Sequence, residues 1–326
     1  MNAVKSGPGA LLLKLCGLAM LALALMAAAF RAPERPLESL VARWAPPPSD
    51  FIELRGQTVH LRDEGPRDDP LPLVLLHGTA ASLHTWEGWV AALKPRRRVI
   101  TVDLPGFGLS GPSPAGDYSD AAYMDFVQAL LERLALPRVV LGGNSLGGQI
   151  AWELAARLEA TAPQRIAALL LVDAGGLAFQ SEERPLGFTL ARLPGLAWLA
   201  GSLLPRRLVE ASVRSVYGDP ARVDGALVDR YFELTLREGN RAALVRRLQQ
   251  LEPGRYAGQL SGLRQPTLIL WGGRDRLIPP AYGQAFARAI PHSRLVQFDN
   301  LGHVPQEEDP QATVQVVAEF LHSLKP

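Results

Sequence analysis

Residues Val139-Val140-Leu141-Gly142-Gly143-Asn144-Ser145-Leu146-Gly147-Gly148 leave the chain little choice of local fold. The apolar run reads as a buried strand. It meets a glycine pair, passes through Asn144 and Ser145, and enters a second glycine pair and an apolar-periodic helix over Ile150–Leu158. Strand, sharp turn and helix around G-x-S-x-G put a serine hydroxyl at the apex of a strained turn, with small residues letting the backbone double back. The N–H of Leu146 then lies at a helix N-terminus, where a developing negative charge is stabilised. A glycine-serine turn without chemistry is the alternative. The strand before it and the helix after it favour Ser145 as a nucleophile.

A chain of 326 residues, 48% hydrophobic, is long enough for one large α/β domain with an insertion. The net charge of +2 offers no basic surplus, so nucleic acid is not an expected partner. Arginine outnumbers lysine throughout, a compositional bias that discounts arginine clusters as site signals. The single cysteine, Cys16, excludes an intramolecular disulfide.

Leu11–Phe30 is apolar except for Lys14. About 20 such residues can span a bilayer as a helix. Two rivals are a signal peptide cleaved near Ala27-Ala28-Ala29 and a buried core helix. The expectation is a membrane anchor or exported chain, with the catalytic domain on the non-cytoplasmic side. Arg31–Ser49 holds five prolines and alternating charges, and reads as a tether. Phe51–Leu54 and Val59–Arg62 suggest a hairpin turning at Arg55-Gly56. Leu73–Leu76, Val99–Val102, Leu169–Val172, Thr267–Leu270 and Leu295–Phe298 are apolar runs separated by helical patterns, the signature of a parallel sheet covered on both faces. Between about residues 175 and 262 the alternation lapses into Leu-, Arg- and Pro-rich helical patterns, expected as a helical cap inserted over the sheet's C-terminal edge.

A serine needs a base, and the base an orienting acid, supplied by loops at the carboxyl ends of strands. That rule sorts the six histidines. His60 lies in a strand, His322 late in a helix, and His292 in a turn at the opposite edge from Ser145. His84 reads as a surface or supporting residue, and His77 as a shaper of its own loop. His303, in the loop after the last strand, is the expected base. Asp275 follows its strand through Trp271-Gly272-Gly273-Arg274 and is the expected acid. Asp173 is its rival, Asp299 is too close to His303 in the chain, and Asp103 is expected to fix its own turn. The N–H groups of Thr79 and Leu146 are the expected oxyanion donors. The chain order is Ser145, Asp275, His303.

With His77-Gly78, Asp103-x-x-Gly106-x-Gly108-x-Ser110, Gly143-Asn144-Ser145-Leu146-Gly147-Gly148, Asp275 and Gly302-His303-x-Pro305, the chain resembles the α/β-hydrolase fold superfamily from about Phe51 to Leu324. Its serine sets it apart from haloalkane dehalogenases and epoxide hydrolases. The sequence is similar to monoacylglycerol-lipase-type esterases and to carbon–carbon hydrolases of aromatic degradation. Thr79-Ala80-Ala81-Ser82, in place of a Gly/Pro-rich loop, favours the esterases. The resemblance implies a serine hydrolase of carboxylic esters, small or lipid; the apolar run Leu11–Phe30 adds the expected hold on a membrane. No metal site or organic cofactor is expected. A non-catalytic binding protein on the same fold is the alternative from another class. Leu193–Leu204 is uncharged, so Trp198 is expected in the wall of an acyl pocket; alternatively Trp198, Leu199 and Leu203 face a bilayer.

Overall fold

A computed structural model of the chain describes residues 8–183, 188–189 and 204–324. Among the described residues eight strands form one sheet: β1 (Ser49–Leu54), β2 (Gln57–Glu64), β3 (Leu73–Leu76), β4 (Val99–Val102), β5 (Val139–Asn144), β6 (Ile166–Val172), β7 (Thr267–Gly272) and β8 (Ser293–Phe298). Their order is β1-β2-β4-β3-β5-β6-β7-β8. The β1–β2 and β2–β4 pairs are antiparallel, and every pair from β4 to β8 is parallel. This is the expected α/β-hydrolase architecture. At the opening hairpin, Arg55 and Gly56 both take positive φ (54° and 74°), which twists the turn as two adjoining strands require.

The central strands are continuous apolar runs because each face is covered. Val74, Leu76, Val139, Leu141, Leu169, Leu171 and Ile269 point to one face, against α4 (Asp120–Arg133), α5 (Leu146–Leu158) and α9 (Pro280–Ala289). Leu73, Leu75, Val140, Leu170 and Leu268 point to the other, against α3 (Glu87–Leu93) and α11 (Pro310–Ser323). The alternation is the period of two that a strand imposes. Fully burying one such aliphatic side chain contributes about 1.5–3 kcal/mol, so the sheet is a rigid base for whatever its loops carry.

Between β6 and β7 the described residues form α6 (Arg206–Val216), α7 (Gly225–Thr235) and α8 (Asn240–Gln249). A short helix, α10 (Pro305–Glu308), precedes α11.

The N-terminal segment departs from expectation. Residues 31–48 are not a free tether: α2 (Glu38–Trp44) forms within them and docks on α7. Leu40 is fully buried with Leu109 and Leu234, and Trp44 Nε1 donates to Glu233 at 2.8 Å. Arg35 exchanges backbone hydrogen bonds with Leu236 and Glu238. The prolines punctuate a folded strap because the apolar residues between them, Leu37, Leu40 and Val41, find an apolar surface.

Before it, α1 (Pro8–Phe30) is a 23-residue helix. Leu11, Leu13, Leu18 and Met20 are more than half exposed, which overturns the core-helix alternative. The side chains of residues 8, 10, 23, 26, 27 and 29 lie outside the described set, so the longest described run in α1 is 11–22. Among the described residues no helix is long and apolar enough to cross a membrane, and the expected membrane span and signal find no support there.

Candidate active site

The loops at the carboxyl ends of the parallel strands converge on one region, where open α/β sheets bind ligands. His77 to Ala81 follow β3, Ser145 follows β5, Asp173 follows β6, Asp275 follows β7 and His303 follows β8.

Ser145 sits between β5 and α5 with φ 54° and ψ −114°, a backbone conformation that a non-glycine residue holds only at a cost of about 1–3 kcal/mol. Its surroundings enforce it. Ser145 N–H donates to Val172 O at 3.0 Å, and its carbonyl accepts from Gln149 and Gly175 N–H, both at 2.9 Å. The turn closes only because Gly147 lacks a side chain; a Cβ there would lie 2.1 Å from Leu76 O.

Asn144, which the sequence reading passed over, completes the elbow. It is buried, and its amide nitrogen donates to Val172 O (3.2 Å) and to the backbone carbonyl of His303 (2.8 Å). The serine turn and the histidine loop are therefore joined by one side chain. His303 N–H donates to Val216 O of α6 at 2.8 Å, while the Glu308 carboxylate accepts from the N–H groups of Gly302, Gly218 and Asp219. The histidine loop is clamped between the sheet and the C-terminal end of α6.

His303 Nδ1 lies 2.7 Å from Asp275 Oδ2, and both residues are buried. Asp275 Oδ1 accepts from the N–H groups of Leu277 (2.8 Å) and Ile278 (2.9 Å), which fixes the carboxylate. With Nδ1 engaged, Nε2 is the ring nitrogen left to exchange a proton with the cavity that His303 and Ser145 both line.

Asp173, the rival acid, stands beside this pair, with polar atoms of Asp173, Asp275 and His303 all within 4.8 Å of one another. Its φ is 44°, Oδ1 accepts from Gly272 N–H at 2.9 Å, and Oδ2 has no partner among the described residues. Burial, reinforced by the neighbouring Asp275 charge, pushes its carboxyl well above the usual carboxylate range.

Thr79, Ser145, Leu146 and His303 line the floor of a cavity of about 700 Å³. Helices α6 and α8 supply apolar walls, among them Leu208, Val213, Leu244 and Leu248. Neither Thr79 nor Leu146 N–H donates to another backbone group among the described residues. Both are available to an oxygen in the cavity. Trp198 lies outside the described residues.

The remaining histidines face away. His77 Nδ1 is bonded to Gly78 O at 2.7 Å and Nε2 accepts from Leu104 N–H at 2.9 Å, so it ties two loops together. His84 is not a surface residue: it is buried, bonded to Ser82 Oγ and Trp44 O, and desolvation pushes it down to about 4, keeping it neutral. Asp103 does more than fix its own turn. It accepts from Leu109 N–H and Leu83 N–H and pairs with His60 Nδ1 at 2.7 Å. His292 precedes β8 and His322 lies in the last turn of α11.

The family described as alpha/beta hydrolase fold matches residues 72–310. The chain belongs to that family. An uncharacterized protein of Mycobacterium tuberculosis is 29% identical over 296 residues, covering 86% of this chain and 83% of the relative. The 2-hydroxymuconate semialdehyde hydrolase of Pseudomonas putida is 27% identical, over 82% of this chain and 91% of that protein. Among solved structures, a thermophilic esterase from Thermogutta terrifontis superposes with a TM-score of 0.67 at 26% identity, over 85% of this chain and all of that one.

Proposed function

We propose that this hydrolase-fold chain cleaves carboxylic esters through an acyl-enzyme on Ser145. The observation that carries the reading is the strained Ser145, lining the same apolar cavity as a His303 whose Nδ1 is bonded to Asp275. His303 Nε2 takes the proton from Ser145 Oγ as the oxygen attacks the ester carbonyl carbon. The N–H groups of Leu146 and Thr79 hold the tetrahedral oxyanion; each such donor contributes about 10²–10³ in rate. His303 then protonates the departing alcohol. Water, deprotonated by the same histidine, releases the acid and restores Ser145.

Similarity to the Pseudomonas putida hydrolase favours a second reading, carbon–carbon bond hydrolysis on the same residues. The apolar cap walls and the similarity to an esterase support the ester reading. A fluorophosphonate probe followed by a p-nitrophenyl ester chain-length series, run beside 2-hydroxymuconate semialdehyde, separates them. Labelling at Ser145 with faster ester turnover is expected. Faster turnover of the semialdehyde would transfer the assignment to the second reading, and no labelling would remove both.

We further propose that α1 holds the chain at a membrane, on the non-cytoplasmic side. Its exposed leucines support this, as does a hydrogen bond from Leu204 N–H, at the cavity wall, to Phe30 O at 3.2 Å. A membrane around α1 would then lie beside the cavity, within reach of lipid esters. The full chain is expected to float with phosphatidylglycerol-containing vesicles and the chain lacking residues 1–30 to remain in solution. A mature protein starting near Phe30 and free of vesicles would end the anchor.

A further inference from the structure

In the cavity wall, α8 presents two buried arginines with opposite circumstances. Arg247 has a partner built for it: Nη1 donates to Asp120 Oδ1 at 2.7 Å and to Tyr118 O at 3.0 Å. Arg241 has none. It is 4% exposed, lines the same cavity as Ser145, and its buried Nε and Nη1 have no hydrogen-bond partner among the described residues. Every Asp and Glu side chain of the chain belongs to those residues. Glu34 is the acid that partly offsets the Arg241 charge; it is exposed and its Oε1 accepts from Gly239 N–H at 3.2 Å. Burial holds the guanidinium below its usual range. The position is not loose: the preceding residue, Asn240, is buried and anchors the helix start by donating to Gly108 O and Leu234 O, both at 2.9 Å.

An enclosed guanidinium without an anion is costly, and the cost rises when an apolar chain displaces water around it. Only a ligand that brings its own oxyanion offsets that loss. We infer that Arg241 is an anion-binding residue, and that the ester taken by this site joins an apolar chain to a carboxylate or phosphate group. This deepens the ester-hydrolase reading by naming a substrate class. A neutral ester of the same length leaves Arg241 unpaired and is selected against.

The test measures binding without turnover, in the full chain carrying Ser145→Ala. Calorimetry compares dodecanoate, dodecyl phosphate and neutral dodecanol, each below its critical micelle concentration. At least one anion is expected to bind about tenfold to a hundredfold tighter than dodecanol, an advantage that Arg241→Leu removes and Arg241→Lys partly keeps. The anion that loses more affinity identifies carboxylate or phosphate. Arg241→Gln gives the same comparison if the leucine variant does not fold. An anion advantage that survives in these variants, or no advantage at the start, overturns the assignment. Failure of the ester reading would appear in the turnover assays and leave this binding result intact.

Discussion

Ser145→Ala is expected to abolish fluorophosphonate labelling and to lower ester kcat by about 10⁴- to 10⁶-fold, because a nucleophile and its base act as one unit. His303→Ala should be comparably severe. Asp275→Asn keeps the shape of the site and removes the charge that holds the imidazole at 2.7 Å; a loss of about 10²–10⁴ in kcat is expected, with KM little changed. Asp173→Asn discriminates between the two acids. Since burial and the Asp275 charge both favour the uncharged form of Asp173, an amide in its place should alter kcat by less than about tenfold. A silent Asp275→Asn beside a damaging Asp173→Asn would move the acid to the end of β6. Circular dichroism on each variant separates lost chemistry from lost fold.

Much of this site is legible in the sequence because each part leaves a local mark. The serine elbow is written in two glycine pairs between a strand and a helix. His303 and Asp275 are marked by their places just beyond strands β8 and β7. What stays hidden depends on contacts between distant segments. Asn144 reads as one more small turn residue until its amide is seen joining Val172 O to His303 O, 159 positions away. The reading of His84 stays open between a surface and a supporting residue because nothing local shows that α2 folds back to bond its ring nitrogen through Trp44 O. The strap over residues 31–48 looks like a tether for the same reason: its apolar partners, Leu109 and Leu234, lie far along the chain. Arg241 is concealed differently. In an arginine-rich chain no single arginine stands out; its burial separates it from Arg246, and the lack of a carboxylate partner among the described residues separates it from Arg247.

Asp103 carries the second large expectation, and it concerns stability. Its fully buried carboxylate links three segments: Leu83 N–H at 2.7 Å, Leu109 N–H at 2.8 Å and His60 Nδ1 at 2.7 Å. Burial alone would push this carboxyl up, but the charge and hydrogen bond of His60, with His77 and His84 beyond, more than offset it and hold it well below the usual range. A carboxyl depressed in the folded state contributes stability that is present above the unfolded aspartate value of about 3.9 and is lost as pH falls below it. Asp103→Asn should therefore destabilise the protein at pH 7 by about 3–5 kcal/mol, lowering Tm by roughly 10 °C. The gap between variant and parent should narrow as thermal melts are taken from pH 5 down to pH 3. Gly108→Ala tests the same junction without touching the charge: φ there is 52°, and a Cβ would fall 2.1 Å from Asp103 Cγ. It should destabilise the protein comparably, by forcing the carboxylate off its partners. If Asp103→Asn melted with the parent at pH 7, the three segments would be held by packing alone. A constant gap across the acid range would mean that shape rather than charge is what the junction supplies.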